Sequence, residues 1–368
     1  MILANTFVSL QGFWFAVLAV LWAGYFVLEG FDFGVGMLMR LIGRDDGERK
    51  AVIGTIEPVW DGNEVWLIVA GGATFAAFPS WYATLFSGYY IVFFLILLGL
   101  IFRGVAIEYR AKRREQRWRS AWEVAIVLGS AVPAFLWGIV FANVIHGVPI
   151  SSSNEVSSQL LLTSSGEFSG GLLDLFGGYA ILGGFVSLAV FAFHGAVFLT
   201  LRTEGEVRKR AKAVAVRLAV PAIALVLAIF AWSAIDAGGV DGKWIAAALL
   251  AALAASLLAL SLGLVFLDRD GAAFAATALA ICSTAASFFV ALYPSVLVSS
   301  TSPANNLTIF STSSSHYTLV VMTIVALIFM PIVLAYQAWT YWVFRARLRG
   351  DSLPGGGVSG EAADRPTS

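Results

Sequence analysis

The feature that most constrains this chain is a succession of apolar runs, most of about twenty residues or more, separated by short polar turns. A hydrocarbon core about 30 Å thick needs about 20 helical residues to cross it, at about 1.5 Å per residue. Helix is also the form that satisfies every backbone polar group within one segment. Of the 368 residues 59% are apolar and only 12% are charged, against roughly a quarter charged in soluble domains. A soluble core would not absorb so many separate runs. The pattern predicts an all-α polytopic membrane protein with nine spans, at 13–38, 52–78, 82–109, 120–145, 170–200, 215–235, 244–267, 272–298 and 317–346. Together they form a single transmembrane domain over 1–346. The second span is the least apolar. Its plainly apolar stretch, Val65 to Phe78, rises only about 21 Å, so the span must begin earlier and draw Glu57, Asp61 and Glu64 below the membrane surface.

Charge gives an independent test, because short cytoplasmic loops collect Lys and Arg. With the N-terminus outside, every one of the 23 basic residues except Lys243 and Arg103 falls in a cytoplasmic segment, and the C-terminus lies inside. Adding or removing one helix would scramble this asymmetry. The first run begins near Phe13 with no basic residue before it and no small-residue cleavage site after it, so it reads as a retained helix rather than a signal peptide. The external segment 146–169 is Ser-rich, with room for a short surface helix around Leu160 to Leu162, and the Gly-rich tail 347–368 is expected to be a disordered cytoplasmic extension. Phe31-Asp32-Phe33-Gly34 in the first span and Phe193-His194-Gly195 in the fifth form a faint repeat. It would divide the bundle into two four-helix halves, 13–145 and 170–298, plus a ninth helix at 317–346.

Ionisable side chains inside hydrocarbon are costly and often mark ion pathways. Glu29 and Asp32 are three apart on the first helix, while Glu57, Asp61 and Glu64 recur at i, i+4 and i+7 on the second, so each set is expected to share a helix face. Arg103 is the only basic residue deep in a span. Counting from the cytoplasmic ends places Asp32, Asp61 and Arg103 about 9, 14 and 9 Å deep, where they are expected to share one polar layer. Such groups can serve only as a buried registry device. One guanidinium, however, cannot compensate five carboxylates, so some of them must be protonated or hydrated, as in a proton-conducting chain. Glu123, three residues inside the fourth span, is either the entrance to such a chain or an ordinary interfacial charge.

Metal chemistry is poorly served. Only His146, His194 and His316 are present, two of them at the external surface, and the single Cys282 lies inside a span. There is no paired-His arrangement on facing helices and no haem-attachment motif, so no cofactor or metal is expected on this chain. The strings Phe31 to Gly36 and Gly71-Gly72 lack the strand context of a nucleotide loop and suit close helix packing.

Several strings carry a resemblance. Glu29-Gly30-Phe31-Asp32-Phe33-Gly34-Val35-Gly36, EPVWDGNEVWL at 57–67, FSGYY at 86–90, Phe102-Arg103, Arg117-Trp118-Arg119 and YPSVLVSST at 293–301 together resemble subunit II of cytochrome bd-type quinol oxidases. The similarity runs over almost the whole chain and is densest at 22–145. It implies a subunit in a bacterial cytoplasmic membrane that pairs with a haem-bearing subunit I, and with small accessory subunits in some assemblies, to oxidise membrane quinol and reduce dioxygen. Haem b, haem d and the quinol site would belong to the partner. The resemblance further implies a proton route through Asp32 and Asp61, with Glu29, Glu64, Arg103 and Glu123 nearby, lined by Trp60 and Asn63. Trp66 matches a residue proposed to line an oxygen channel. Glu29 stands where the family also carries Asp, and Glu64 where it also carries an amide. The short outer segment 236–243 leaves little external surface for a quinone. Two other classes compete: a stand-alone proton-coupled transporter, against which no helix is obviously broken at mid-membrane in both halves, and a purely structural assembly subunit.

Overall fold

A computed structural model describes residues 9–150, 175–236 and 242–349. The expected surface helix at 160–162 and the tail from 350 onward lie outside these residues. The elements are α1 (Leu10–Ile42), α2 (Asp46–Gly54), α3 (Trp60–Ala77), α4 (Pro79–Gly88), α5 (Tyr90–Arg110), α6 (Gln116–His146), α7 (Gly178–Arg202), α8 (Gly205–Asp236), α9 (Gly242–Phe266), α10 (Asp270–Leu292) and α11 (His316–Val343). A small antiparallel pair, β1 (Ser295–Leu297) and β2 (Leu307–Thr308), precedes α11.

Ion pairs and backbone bonds sort the helix ends into two layers. At one end Arg110 and Arg119 pair with Asp46 at 2.7 and 2.5 Å, Arg210 pairs with Glu48, and Arg208 and Arg347 both reach Asp270 at 3.0 Å. At the other end the Ser314 hydroxyl donates to the Ala76 carbonyl at 2.6 Å, Val148 N–H donates to the Val298 carbonyl at 3.0 Å, and His146 meets Asp236 at 3.2 Å. The described chain therefore runs nine times between the layers, through α1, α3, α5 and then each helix from α6 to α11. Among the described residues, eight of these helices are long and apolar enough to cross a membrane on their own.

The ninth traverse is α3, and it departs from the single span expected at 52–78. Val52 belongs instead to the short α2, and residues 55–59 form turns before α3 begins at Trp60. Pro58 explains the break, since it has no N–H to donate and disfavours helix at the residue before it. The span expected at 82–109 is likewise divided, with α4 ending at Gly88 and α5 beginning at Tyr90, on either side of Tyr89. The one expected at 272–298 stops at Leu292, ahead of Tyr293 and Pro294. The first residues of the tail are tied down: Leu348 N–H donates to the Arg202 carbonyl at 2.9 Å, and Glu204 N–H donates to the Leu348 carbonyl at 3.1 Å.

The core forms around α1, which packs against α3, α6, α7 and α10 and buries Trp14, Leu18, Tyr25, Phe31, Phe33 and Met39. Its closest approach is to α7. A Cβ on Gly34 would run into the Phe191 carbonyl and lie 2.6 Å from the Gly195 Cα, and one on Gly195 would lie 2.5 Å from the Gly34 Cα. The two helices cross backbone on backbone, at the two glycines of the faint repeat. Gly34→Ala is therefore expected to overpack this crossing by about 1–3 kcal/mol, read as a lower melting temperature and yield of the detergent-solubilised protein. By contrast α11 lies on the outside, with only Leu319 buried along its length.

Candidate functional site

Because α1 is buried without a break from Glu29 to Gly36, polar residues in that stretch have no route to lipid or solvent except through protein. Glu29 and Asp32, one turn apart on α1, are both fully buried, as is Arg103 on α5. The Arg103 Nη2 contacts Glu29 Oε1 and lies 2.5 Å from Glu64 Oε1 on α3. Its guanidinium also sits 4.9 Å from the Phe33 ring centroid, adding a cation–π contact. Small residues admit this bulk: Gly129 on α6 faces the Arg103 Cβ and backbone, and Gly104 faces the Trp60 ring.

Asp32 belongs to a second, adjoining network. The Asn63 side-chain amide donates to Asp32 Oδ2 at 2.8 Å, while the Asn63 carbonyl oxygen accepts from Tyr341 at 2.7 Å and Gln337 at 3.0 Å, both on α11. Asn63 and Glu64 are consecutive on α3 and Glu29 and Asp32 share a face of α1, so the two networks meet. The Arg103 Nε and Nη1 and Asp32 Oδ1 are buried with no hydrogen-bonding group among the described residues. Three carboxylates face one guanidinium here, so an electrically neutral cluster holds two exchangeable protons. Chemically, the arrangement is a chain of proton-bearing groups inside an apolar bundle.

The sequence-expected residues divide accordingly. Asp32, Glu29, Glu64, Arg103 and Asn63 come together, and Trp60 packs at the edge. The expected layer of Asp32, Asp61 and Arg103 is corrected at Asp61, which is exposed on the outer face of α3. Glu57 lies in the turns before α3 and is also exposed, so the expected shared face of Glu57, Asp61 and Glu64 does not form. Trp66 is 9% exposed, and its ring packs where a Cβ on Gly24 would sit. Glu123 is buried at the basic end and held by Arg110 at 2.7 Å, Arg49 at 3.0 Å and Arg40 at 3.8 Å, a knot that ties α1, α2, α5 and α6. Gln337 and Tyr341 escaped the sequence reading; α11 also carries Thr318, Thr323, Tyr336 and Thr340, so spacing alone does not mark these two.

The imidazole of buried His194 has both nitrogens engaged, Nδ1 with the Thr277 hydroxyl at 2.6 Å and Nε2 with the Val27 carbonyl at 3.1 Å, and its ring stacks on Phe274. His146 stacks on Tyr179 beside Asp236. Among the described residues, no group of three or more His, Cys, Asp or Glu is placed to hold a metal. Away from the carboxylates, a cavity of about 620 Å³ opens among α6 to α10, walled by Phe141, Phe191, Phe230, Trp244 and Phe288. Among the described residues, no carboxylate, amine or imidazole lines it.

Comparison with known proteins accords with this layout. The profile of the family described as cytochrome bd terminal oxidase subunit II matches residues 10–344. The cytochrome bd ubiquinol oxidase subunit 2 of Bacillus subtilis is 39% identical over 341 residues, which cover 92% of this chain and 97% of that protein. The cytochrome bd-I ubiquinol oxidase subunit 2 of Escherichia coli is 34% identical over 376 residues, covering 94% and 96%. A chain in the structure of the bd oxidase from Geobacillus thermodenitrificans shares the fold at a TM-score of 0.71 and 17% identity, covering 91% of this chain and 98% of that one.

Proposed function

This chain belongs to the cytochrome bd terminal oxidase subunit II family, and we propose that within that quinol oxidase it carries protons from the cytoplasm through the Glu29, Asp32, Glu64 and Arg103 cluster. The observation that carries this reading is the full burial of Glu29, Asp32 and Arg103 at the centre of the bundle, with the part-buried Glu64 on the same guanidinium. Dioxygen reduction to water consumes protons. Drawing them from the cytoplasmic side is what lets turnover build a membrane potential, and it requires titratable groups at depth. In this reading the haem b and haem d groups that supply the redox chemistry, and the quinol site, reside in subunit I. His194, with both ring nitrogens taken, does not suit an axial role.

The face toward subunit I follows from cost. Asp61 is exposed on α3 beside the largely exposed α11, and a carboxylate facing lipid costs at least about 2.5 kcal/mol at mid-membrane. The α3–α11 face is therefore covered by the haem-bearing partner rather than by lipid, which puts Asp61 at that interface, outside the buried cluster. Trp66, on the same helix, supports a place beside an oxygen path no more than it supports packing against Gly24.

The chain is placed in the bacterial cytoplasmic membrane with its basic end inside, following the positive-inside rule. Cysteines introduced at Lys112 and Glu206, both exposed at the basic end, are expected to resist impermeant maleimide on intact cells, while one at Ser311, exposed at the opposite end, reacts. Labelling of the first two from outside would overturn the orientation. The assignment of redox groups is tested by the optical spectrum of the complex purified through a tag on this chain. Haem bands are expected with subunit I and none when the chain is expressed alone; stoichiometric haem in the isolated chain would contradict it.

A further inference from the structure

The helix α11 touches the bundle along a stripe through Leu319, Thr323, Ala326, Met330, Gln337 and Tyr341, and most of its remaining surface is exposed. The spacing of three, four or seven residues is that of one helix face. Apart from Thr323, the stripe is apolar until its inner end, where two hydrogen-bond donors stand one turn apart. Both converge on a single atom, the side-chain oxygen of Asn63: Tyr341 from 2.7 Å and Gln337 from 3.0 Å. Two donors to that oxygen leave the amide nitrogen as the only group Asn63 can present on its other side. That nitrogen donates to Asp32 Oδ2 at 2.8 Å and approaches the Leu28 carbonyl at 3.4 Å.

We infer that Gln337 and Tyr341 are positioning residues for Asp32, acting through Asn63. The physical reason lies in the symmetry of a primary amide. Its oxygen and nitrogen ends have nearly the same shape, so an Asn without fixed partners turns freely between presenting a donor and presenting an acceptor. Facing Asp32 with its oxygen, Asn63 would set two acceptors against each other in a site without competing solvent, where an unmade hydrogen bond is expensive. Clamping the oxygen from α11 removes that alternative and holds one orientation of the Asp32 carboxyl. Oδ1, the other carboxyl oxygen, has no hydrogen-bonding group among the described residues and is the one left to exchange a proton. Since α11 has few other polar ties at this depth, its seating against α3 sets the geometry of the proton-bearing group on α1. A helix that looks peripheral is thus coupled to the centre of the bundle.

The inference rests on the proton-conducting reading of Asp32, and the test separates the two. In the purified two-subunit complex, Gln337→Leu with Tyr341→Phe removes both donors while keeping side-chain bulk. Turnover per haem is expected to fall about fivefold to tenfold, the value of one to two neutral hydrogen bonds. The same pair of changes placed on Asp32→Asn is expected to slow it no further, because the clamp acts only through the Asp32 carboxyl. In infrared difference spectra the Asp32 carboxyl band, identified by its loss in Asp32→Asn, is expected to move in the double variant, and restoring tyrosine at 341 alone is expected to return it most of the way. Parental turnover in Asp32→Asn itself would sink the underlying proton reading. A double variant that keeps parental turnover and an unmoved carboxyl band, or that slows both backgrounds equally, would overturn the positioning role.

Discussion

Asp32→Asn is expected to slow oxygen-dependent quinol oxidation by at least about tenfold, at the modest end of what a positioned proton-transfer group contributes, while haem content and subunit stoichiometry stay near parental. The side chain keeps its shape and still meets Asn63, so the packing around Phe31 and Phe33 is undisturbed. What disappears is the exchangeable proton at the one carboxyl linked to both α3 and α11. Asp61→Asn serves as the comparison. Asp61 lies outside the buried cluster, so its replacement leaves Glu29, Asp32 and Glu64 in place and affects turnover only through the face shared with the partner. The measurement is turnover per haem in purified complex, with assembly read from the subunit ratio. Equal effects of the two substitutions would show that proximity to the partner, not membership of the cluster, decides function.

The second large effect concerns assembly. Arg103 contacts Glu29 and Glu64 through one nitrogen and lies over Phe33, wholly buried. Arg103→Leu preserves apolar bulk but strips the fully buried Glu29 and the part-buried Glu64 of their cation. Removing one partner of a buried ion pair costs about 3–5 kcal/mol, a large part of the stability of an ordinary domain. The expected result is loss of the subunit from membranes and of the intact complex from purification, rather than an assembled but slow enzyme. Arg103→Lys keeps the charge but not the planar fork and should retain part of the assembly. Normal yield of Arg103→Leu complex would mean that the carboxylates are accommodated without their guanidinium.

The contrast between these residues marks what was legible in the sequence. Glu29, Asp32, Glu64 and Arg103 stood out because ionisable groups are rare in membrane-length apolar runs, and rarity there carries a cost that must be offset by partners; Asn63 entered only through the family resemblance. The basic turns likewise marked one end of the bundle, now joined through Asp46, Glu48 and Asp270. The rotation of α3 was not legible. Read as one helix from residue 52, the chain places Glu57, Asp61 and Glu64 on a common face; the break at Pro58 removes Glu57 from the helix. Packing against α1 and α5 then turns Asn63 and Glu64 inward and Asp61 outward, a choice made by tertiary contacts and not by spacing. Glu123 shows the same limit, since three arginines from separate elements converge on it. That geometry suits a fastening of the helix ends in the basic layer better than a proton entrance. Gln337 and Tyr341 were invisible for another reason: neither is charged, and their importance lies in meeting the same atom of a residue more than 270 positions away.

The central claim, that the buried carboxylates carry cytoplasmic protons, is tested most directly by time-resolved charge movement. The complex is reconstituted in liposomes with its basic end outward, and the fully reduced enzyme is exposed to oxygen in a single turnover. In the parental complex a charge-moving phase should accompany proton uptake from the medium at the basic end. In Asp32→Asn that phase and the uptake should slow together, by the same factor as steady-state turnover, with the oxygen-binding step unchanged. Charge movement and uptake of parental rate and size in a fully assembled Asp32→Asn complex would contradict the account and place the proton route in the partner subunit.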